Sequence, residues 1–435
     1  MTMTRNINIQ SSSNQKMKDS GVDWIGLIPA DWEVKPLKSV SKITMGQSPP
    51  SDEVTDTGTI PFLQGNAEFG DDHPAPIHYC DSAPKRCSPG DILMSVRAPV
   101  GEINIADQQY AIGRGLCAIT SNINNDFMRF ALQKYSKDFL VYSNGSTFDA
   151  ITMGSLNNFR IAVPPLNVQS DIASFLESEC FKINAILKSV NHTIEDLIDL
   201  KQSIISEVVT KGFDDVSMKN SGISWIGFMP SDWNLVPIKS RFVINKRIAG
   251  KLGYDVLSVT QDGVKIKDIS SNDGQLSNDY SKYQLVYKGD FVMNHMDLLT
   301  GFVDCSQYDG VTSPDYRVFT LQSDDLIPRY ALYILQMGYR NRIFYGMGQG
   351  VSSLGRWRLP KNQFMNFVIP LPPVNVQESI VEYLDAKCDV IDSLIKDCTE
   401  SVSRLNEFKQ SLIYEYVTGK RSVTGGGSDA AEISG

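Results

Sequence analysis

Between residues 167 and 212, Ile183, Leu187, Val190, Ile194, Leu197, Lys201, Ile204 and Val208 fall at alternating steps of four and three. That spacing is a heptad seam about four heptads long, broken by one lysine, and it demands a long helix with a single apolar stripe. Adding 208 to each number regenerates the seam as Ile391, Ile395, Cys398, Val402, Leu405, Lys409, Leu412 and Tyr416. Even the lysine keeps its register. One such helix is unstable alone in water, so two copies in one chain most simply bury their seams against each other. An antiparallel pair puts Lys201 and Lys409 at opposite ends, where each can extend outward into solvent. A parallel pair would set them face to face. The alternative is that each lysine is merely solvated on a curved helix.

The rest of the chain is also duplicated. Residues 18–34 read KDSGVDWIGLIPADWEV and residues 219–235 read KNSGISWIGFMPSDWNL. The match aligns Trp24 with Trp225 and Trp32 with Trp233. Tryptophan at this density, between Gly and Pro, suits a packed loop that staples a domain edge. Residues 35–166 and 237–371 then read as mixed α/β modules, with short β-rich runs (PGDILMS, KGDFVMN), turns, and helical patterns near 126–140 and 327–344. Each module ends alike, in NFRIAVPPLNVQ at 158–169 and NFVIPLPPVNVQ at 366–377. Asn167 and Asn375 are expected to cap the following helices, the latter in a capping box with Glu378. The helices close on KQSIISEVVTKG and KQSLIYEYVTGK.

The expected division is a polar tail over 1–17, a first module over 18–166, a helix over 167–212, a second module over 213–373, a second helix over 374–420 and a linker-like tail over 421–435. The frames match while the loops between them have diverged, as in two binding modules tuned to different targets. A helix of roughly 30 residues spans about 45 Å, a little more than one turn of B-DNA at about 34–36 Å.

Composition narrows the function. No apolar run is long enough to span a membrane, the N-terminus has no signal-peptide core, and seven cysteines without a CxxC pair suit a reducing cytoplasm. The net charge of −9 is unevenly spread. Residues 33–166 hold 11 Lys+Arg against 14 Asp+Glu, and residues 234–371 hold 16 against 12. Local basic faces therefore remain possible on an acidic protein. No P-loop or dinucleotide fingerprint is present, and SPPS at 48–51 ends in Ser51 where a methylation tetrad needs an aromatic. His73, His78, Cys80 and Cys87 match no common zinc spacing, and His192 reads as a solvated helix residue.

The order module, long helix, module, matching helix, with PPLNVQ and PPVNVQ at the junctions, resembles the specificity (S) subunit of type I restriction–modification enzymes. GDILMSVRAPVG at 90–101, AIGRGLCAI at 111–119 and the IPADW/MPSDW motifs are similar to those of that family's target recognition domains, over about residues 18–420. Val168 and Val376 depart from it, where the family often has an acidic residue. The resemblance implies that each domain reads one half of a bipartite, asymmetric double-stranded DNA site. It also implies that the helices set the spacer and dock two adenine-N6 methyltransferase (M) subunits, with motor–nuclease (R) subunits joining. On that reading the chain does no chemistry and binds no cofactor, and S-adenosylmethionine, ATP and Mg belong to the partners. Two rival classes are an enzyme with its own recognition domains and a coiled-coil scaffold for protein or sugar ligands. A steep salt dependence of DNA binding would count against the scaffold.

Base readout favours Arg on guanine and Asn or Gln on adenine. On that chemistry the candidates are Gln64, Asn66, Arg97 and Arg114 in the first module. In the second they are Lys246, Arg247, Lys251, Gln349, Arg356 and Arg358. Phosphate contacts are expected to outnumber base contacts among them. Trp357 is a candidate either for stacking on DNA or for core packing.

Overall fold

The computed structural model describes residues 16–71, 73–142, 150–213, 216–268, 279–350 and 357–423. The heptad stripes form two helices, Leu166–Lys211 and Val374–Val417. The chain divides into two compact units, Met1–Ser189 with Ser401–Gly435, and Val190–Glu400. Each unit contains one module and a stretch of both helices.

The helices pair antiparallel. In the first unit Ile183 and Leu187 join Leu405 and Leu412 in one apolar cluster, and Lys409 Nζ donates to Asn184 Oδ1 at 2.8 Å. In the second unit Ile391 is buried, and Lys201 Nζ meets Asp392 at 2.6 and 2.7 Å. Val190, Ile194, Leu197, Ile395, Cys398 and Val402 are half-buried, as expected where a seam has one partner helix. The lysines do not extend outward. Each crosses to a polar side chain on the opposing helix, which satisfies the ammonium without breaking the stripe. Both contacts obey the 208-residue repeat, since Asn184 corresponds to Asp392, so one copy is an ion pair and the other a neutral hydrogen bond. Asn184→Asp is expected to stabilise the first unit by a few tenths to about 1 kcal/mol. The check is its urea midpoint at low and high salt; a gain that salt does not reduce would contradict the electrostatic origin.

Toward their C-terminal ends the helices stop being a two-helix seam and enter module cores. Ile205, Val208 and Val209 are buried with Met229 and Trp233 of the second module, whereas Ile204 is only half-buried. Leu412, Ile413, Tyr416 and Val417 are buried with Ile25, Ile28 and Trp32 of the first. Each helix then ends at a glycine with φ +69°, Gly212 and Gly419. A Cβ on Gly212 would lie 3.1 Å from the Trp233 ring, and one on Gly419 would lie 2.4 Å from Pro29. Glycine is needed there for both the left-handed turn and the close approach. The other tryptophan of each repeat stacks on the module, Trp24 on Phe159 at 5.1 Å and Trp225 on Phe367 at 5.2 Å.

The helix starts differ from expectation. The helices begin at Leu166 and Val374, one residue before the asparagines assigned as caps, so Asn167 and Asn375 lie inside the first turn. The holding residue is the glutamine of the same motif. Gln169 is buried, donates to Pro164 O and accepts from Asn124 N. Gln377 donates to both Pro372 O and Asp325 O and accepts from Ile327 N.

Both modules are built on the same four-stranded antiparallel sheet. In the first the order is Ser41–Met45, Leu116–Ser121, Ile92–Ser95, Ile103–Ile105. In the second it is Phe242–Asn245, Arg317–Leu321, Phe291–Met293, Val303–Cys305. The registers agree, with Cys117 opposite Met94 and Arg317 opposite Met293. Helices Asn125–Tyr142 and Pro328–Arg340 contribute to the respective cores. The strand-end loops are where the modules part company.

Candidate nucleic-acid interface

In the first module, four loops meet at one end of the strands. Gln64 follows Pro61–Leu63, Arg114 lies between Ala111–Ile112 and Leu116–Ser121, and Arg97 follows Ile92–Ser95. Ser48 Oγ bonds the Gln64 amide at 3.1 Å and accepts from Arg114 N at 3.2 Å. Val96 N donates to Gly115 O, which draws the Arg97 loop onto the Arg114 loop. The glycines permit this crowding: a Cβ on Gly115 would sit 2.6 Å from Gln64 O, and one on Gly46 only 2.2 Å from Gly113 O. Gln64, Arg97 and Arg114 are exposed, and Asn66, half-buried, opens the short 3-10 turn beside Gln64. The structure therefore brings these four candidates together.

The second module assembles a comparable face from different residues. Lys246 and Lys251 are exposed on the loop after Phe242–Asn245. That loop pairs with the segment around Gln284, through Leu285 N to Arg247 O and a bridge between Ile248 and Gln284. Gln284 is buried, and its Nε2 donates to Ser313 O, Pro314 O and Tyr316 O, locking the 313–316 loop from beneath. Arg317, also buried, reaches Leu359 O at 3.1 Å and lies over the Phe364 ring at 4.9 Å. Burial pulls its pKa down to about 10. Gln349 and Arg358, both exposed, pair backbone to backbone at 2.8 and 3.0 Å.

Arg247 behaves differently from the other candidates. Its guanidinium pairs with the buried Asp290 and lies 4.7 Å from the Tyr287 ring centroid, so it is committed within the module. Trp357 is packed: its Nε1 donates to Tyr345 O at 2.7 Å and its ring abuts Tyr345. Arg356 lies outside the described residues. Sequence reasoning missed Ser48, Gln284, Asp315 and Arg317. Aligning the 113–115 and 313–316 loops by the repeat would have exposed Asp315; the buried supports carry no local signal.

Cys80 and Cys87 are buried, and burial pushes the Cys87 thiol up to about 11. His73 and His78 bond Ile105 O and Asp56 instead. Among the described residues no group of three or more His, Cys, Asp or Glu is placed to hold a metal ion. His192 is exposed beside Glu195 and Asp196. His295 is the perturbed histidine. Burial, then the nearby Arg317 and Arg358 charges, lower its pKa to about 4, and its Nδ1 has no partner among the described residues. The folded state thus holds it neutral while the unfolded chain protonates it near 6.5. Stability from this residue is full above about 6.5 and is lost as pH falls toward 4. His295→Asn is expected to flatten the second unit's urea midpoint over that pH window; an unchanged slope would count against the assignment.

Like modules on one strand frame, joined through an antiparallel helix pair and diverging at their loop faces, define a duplicated two-module class of protein. The family described as type I restriction modification DNA specificity domain matches residues 29–196 and 230–403, and the chain belongs to it. A relative from Methanocaldococcus jannaschii, named for the type I restriction enzyme MjaX specificity subunit, is 41% identical over 184 residues, 41% of this chain and 40% of its own length. The match thus spans well under half of that relative. The MjaVIII specificity subunit of the same organism is 26% identical over 69% of this chain and 71% of its own. A chain in a solved structure of the type I R-M system shares the fold with TM-score 0.65 and 16% identity, over 91% of this chain and 99% of that one. Among the described residues, no helix is long and apolar enough to cross a membrane.

Proposed function

We propose that this chain is the DNA-recognition subunit of a type I restriction–modification complex and performs no catalytic step itself. Each module reads one half of a bipartite double-stranded DNA site, and the paired helices set the spacer. The observation that carries this reading is the pair of loop faces, built on one frame in one register yet furnished with different side chains. Loops fixed from beneath by a glycine crossover or a buried amide lose little freedom on binding, as sequence readout requires. Two methyltransferase subunits would dock on the helices, which expose large apolar residues in repeat-related pairs: Ile186 with Leu394, and Leu200 with Phe408. S-adenosylmethionine, ATP and Mg2+ are assigned to the methyltransferase and motor–nuclease partners, and the complex to the cytoplasm.

The test is coexpression with the cognate methyltransferase subunit, followed by mapping of N6-methyladenine. A bipartite, asymmetric motif that vanishes on deletion of this chain is the expected result. Exchanging residues 35–160 for a relative's equivalent should alter one half-site only. Methylation indifferent to the deletion would refute the proposal.

A further inference from the structure

The loop faces differ in the sign of one charge. The sheet registers make the loop before Leu116–Ser121 equivalent to the loop before Arg317–Leu321. The first presents Arg114, exposed, between two glycines; the second presents Asp315, also exposed, one position further along, where the first has Gly115. Asp315 sits on a loop whose carbonyls of Ser313, Pro314 and Tyr316 are gathered by Gln284 Nε2 at 3.1, 3.1 and 2.8 Å. Two residues on, Arg317 ties the same loop to Leu359, next to the exposed Arg358. Among the described residues the Asp315 carboxylate has no protein partner; its backbone N–H alone is engaged, by Ser313 Oγ.

From this geometry, and resting on the DNA-reading function proposed above, we infer that Asp315 selects a C·G base pair in the half-site read by the second module. A lysine or arginine on a DNA-facing loop gains from phosphates and bases alike. A carboxylate is repelled by every phosphate, so on such a face it gains only from a donor on a base edge. In the major groove cytosine offers N4–H2, whereas guanine presents two acceptors and thymine one beside a methyl group. Adenine offers N6–H2, but its N7 lone pair stands next to it and repels a carboxylate. In the minor groove the sole donor is guanine N2–H2. Either groove leads to the same pair. Arg114, one position earlier on the equivalent loop of the first module, has the opposite preference for acceptors, so the two loops present complementary chemistry.

The test maps N6-methyladenine in cells carrying the methyltransferase partner with the full chain, as wild type, Asp315→Ala or Asp315→Asn. The wild-type motif should contain an invariant C·G pair in the second half. Asp315→Ala should relax that position alone, reducing discrimination about 10- to 100-fold, with the first half and spacer unchanged. Asp315→Asn, nearly isosteric, should shift the preference toward adenine, which an amide contacts through N6 and N7. An unchanged second half in both variants, or a wild-type second half without an invariant C·G pair, overturns the inference and leaves the recognition function standing. A wild-type methylation pattern that does not depend on this chain overturns both.

Discussion

Ending the chain after Gln410 is expected to unfold the first module, the part of the protein farthest away in sequence, while the second remains folded. The deletion removes Leu412, Ile413, Tyr416 and Val417, all buried in the first module's core with Ile25, Ile28 and Trp32. Buried aliphatic and aromatic truncations cost about 2–5 kcal/mol each. Four together, about 10 kcal/mol or more, rival the entire 5–15 kcal/mol stability of a typical domain. The second unit ends at Glu400 and retains its own helix segments. Limited proteolysis should therefore cut the first module rapidly and spare residues 190–400. Equal protection of both modules in the shortened chain would show that the helix end is dispensable. Val417→Asp in the full chain should reproduce the effect, because it places a carboxylate in a fully buried site.

The second large effect is expected at Gln377. Its side chain is fully buried and makes three bonds, donating to Asp325 O and Pro372 O and accepting from Ile327 N. Alanine leaves two carbonyls and one amide without this partner, one at a buried and two at part-buried positions, at up to about 1–3 kcal/mol each. Allowing for partial relaxation, the loss is about 3–5 kcal/mol, a fall in Tm on the order of 10 °C for a unit of this size. Gln377→Glu should fare no better, since a carboxylate cannot donate to either carbonyl. Gln169→Ala is the internal comparison. It orphans Pro164 O and Asn124 N only, so the first unit should lose less. Differential scanning calorimetry of the two variants settles the order; equal losses, or none at Gln377, would defeat the argument.

These two sites show what could be read from the chain and what could not. The helices were legible because a seam with a 3.5-residue period is a local pattern, and its return 208 residues later exposed the repeat. The PPLNVQ and PPVNVQ junctions were equally visible, yet their working residue was misassigned. An asparagine near a helix start is a local cue for capping, whereas Gln169 and Gln377 act on segments 45 to 52 positions away. Lys201 and Lys409 were seen, but their partners Asp392 and Asn184 are defined only by the pairing of the helices. At the loop faces, arginine chemistry pointed to Arg97 and Arg114, which are exposed, and also to Arg247, whose partner Asp290 is 43 positions along the chain. Asp315 was passed over because composition favours cations as DNA contacts; only the shared strand register puts it on the loop equivalent to that of Arg114.

The burial of residues 412–417 within the first module also dictates an order of events on the ribosome. Synthesis proceeds at about 5–20 residues per second, so about 250 residues, or roughly 10–50 s, separate the emergence of the first module's own strands and helix from that of the segment that closes its core. The second module, whose two helix segments flank it directly, is complete sooner. The nascent first module waits with its apolar floor open, and interrupted translation yields a chain with one finished head and one unfinished. Ribosome-stalled chains ending near residue 400 should accordingly be bound by chaperones through their N-terminal half.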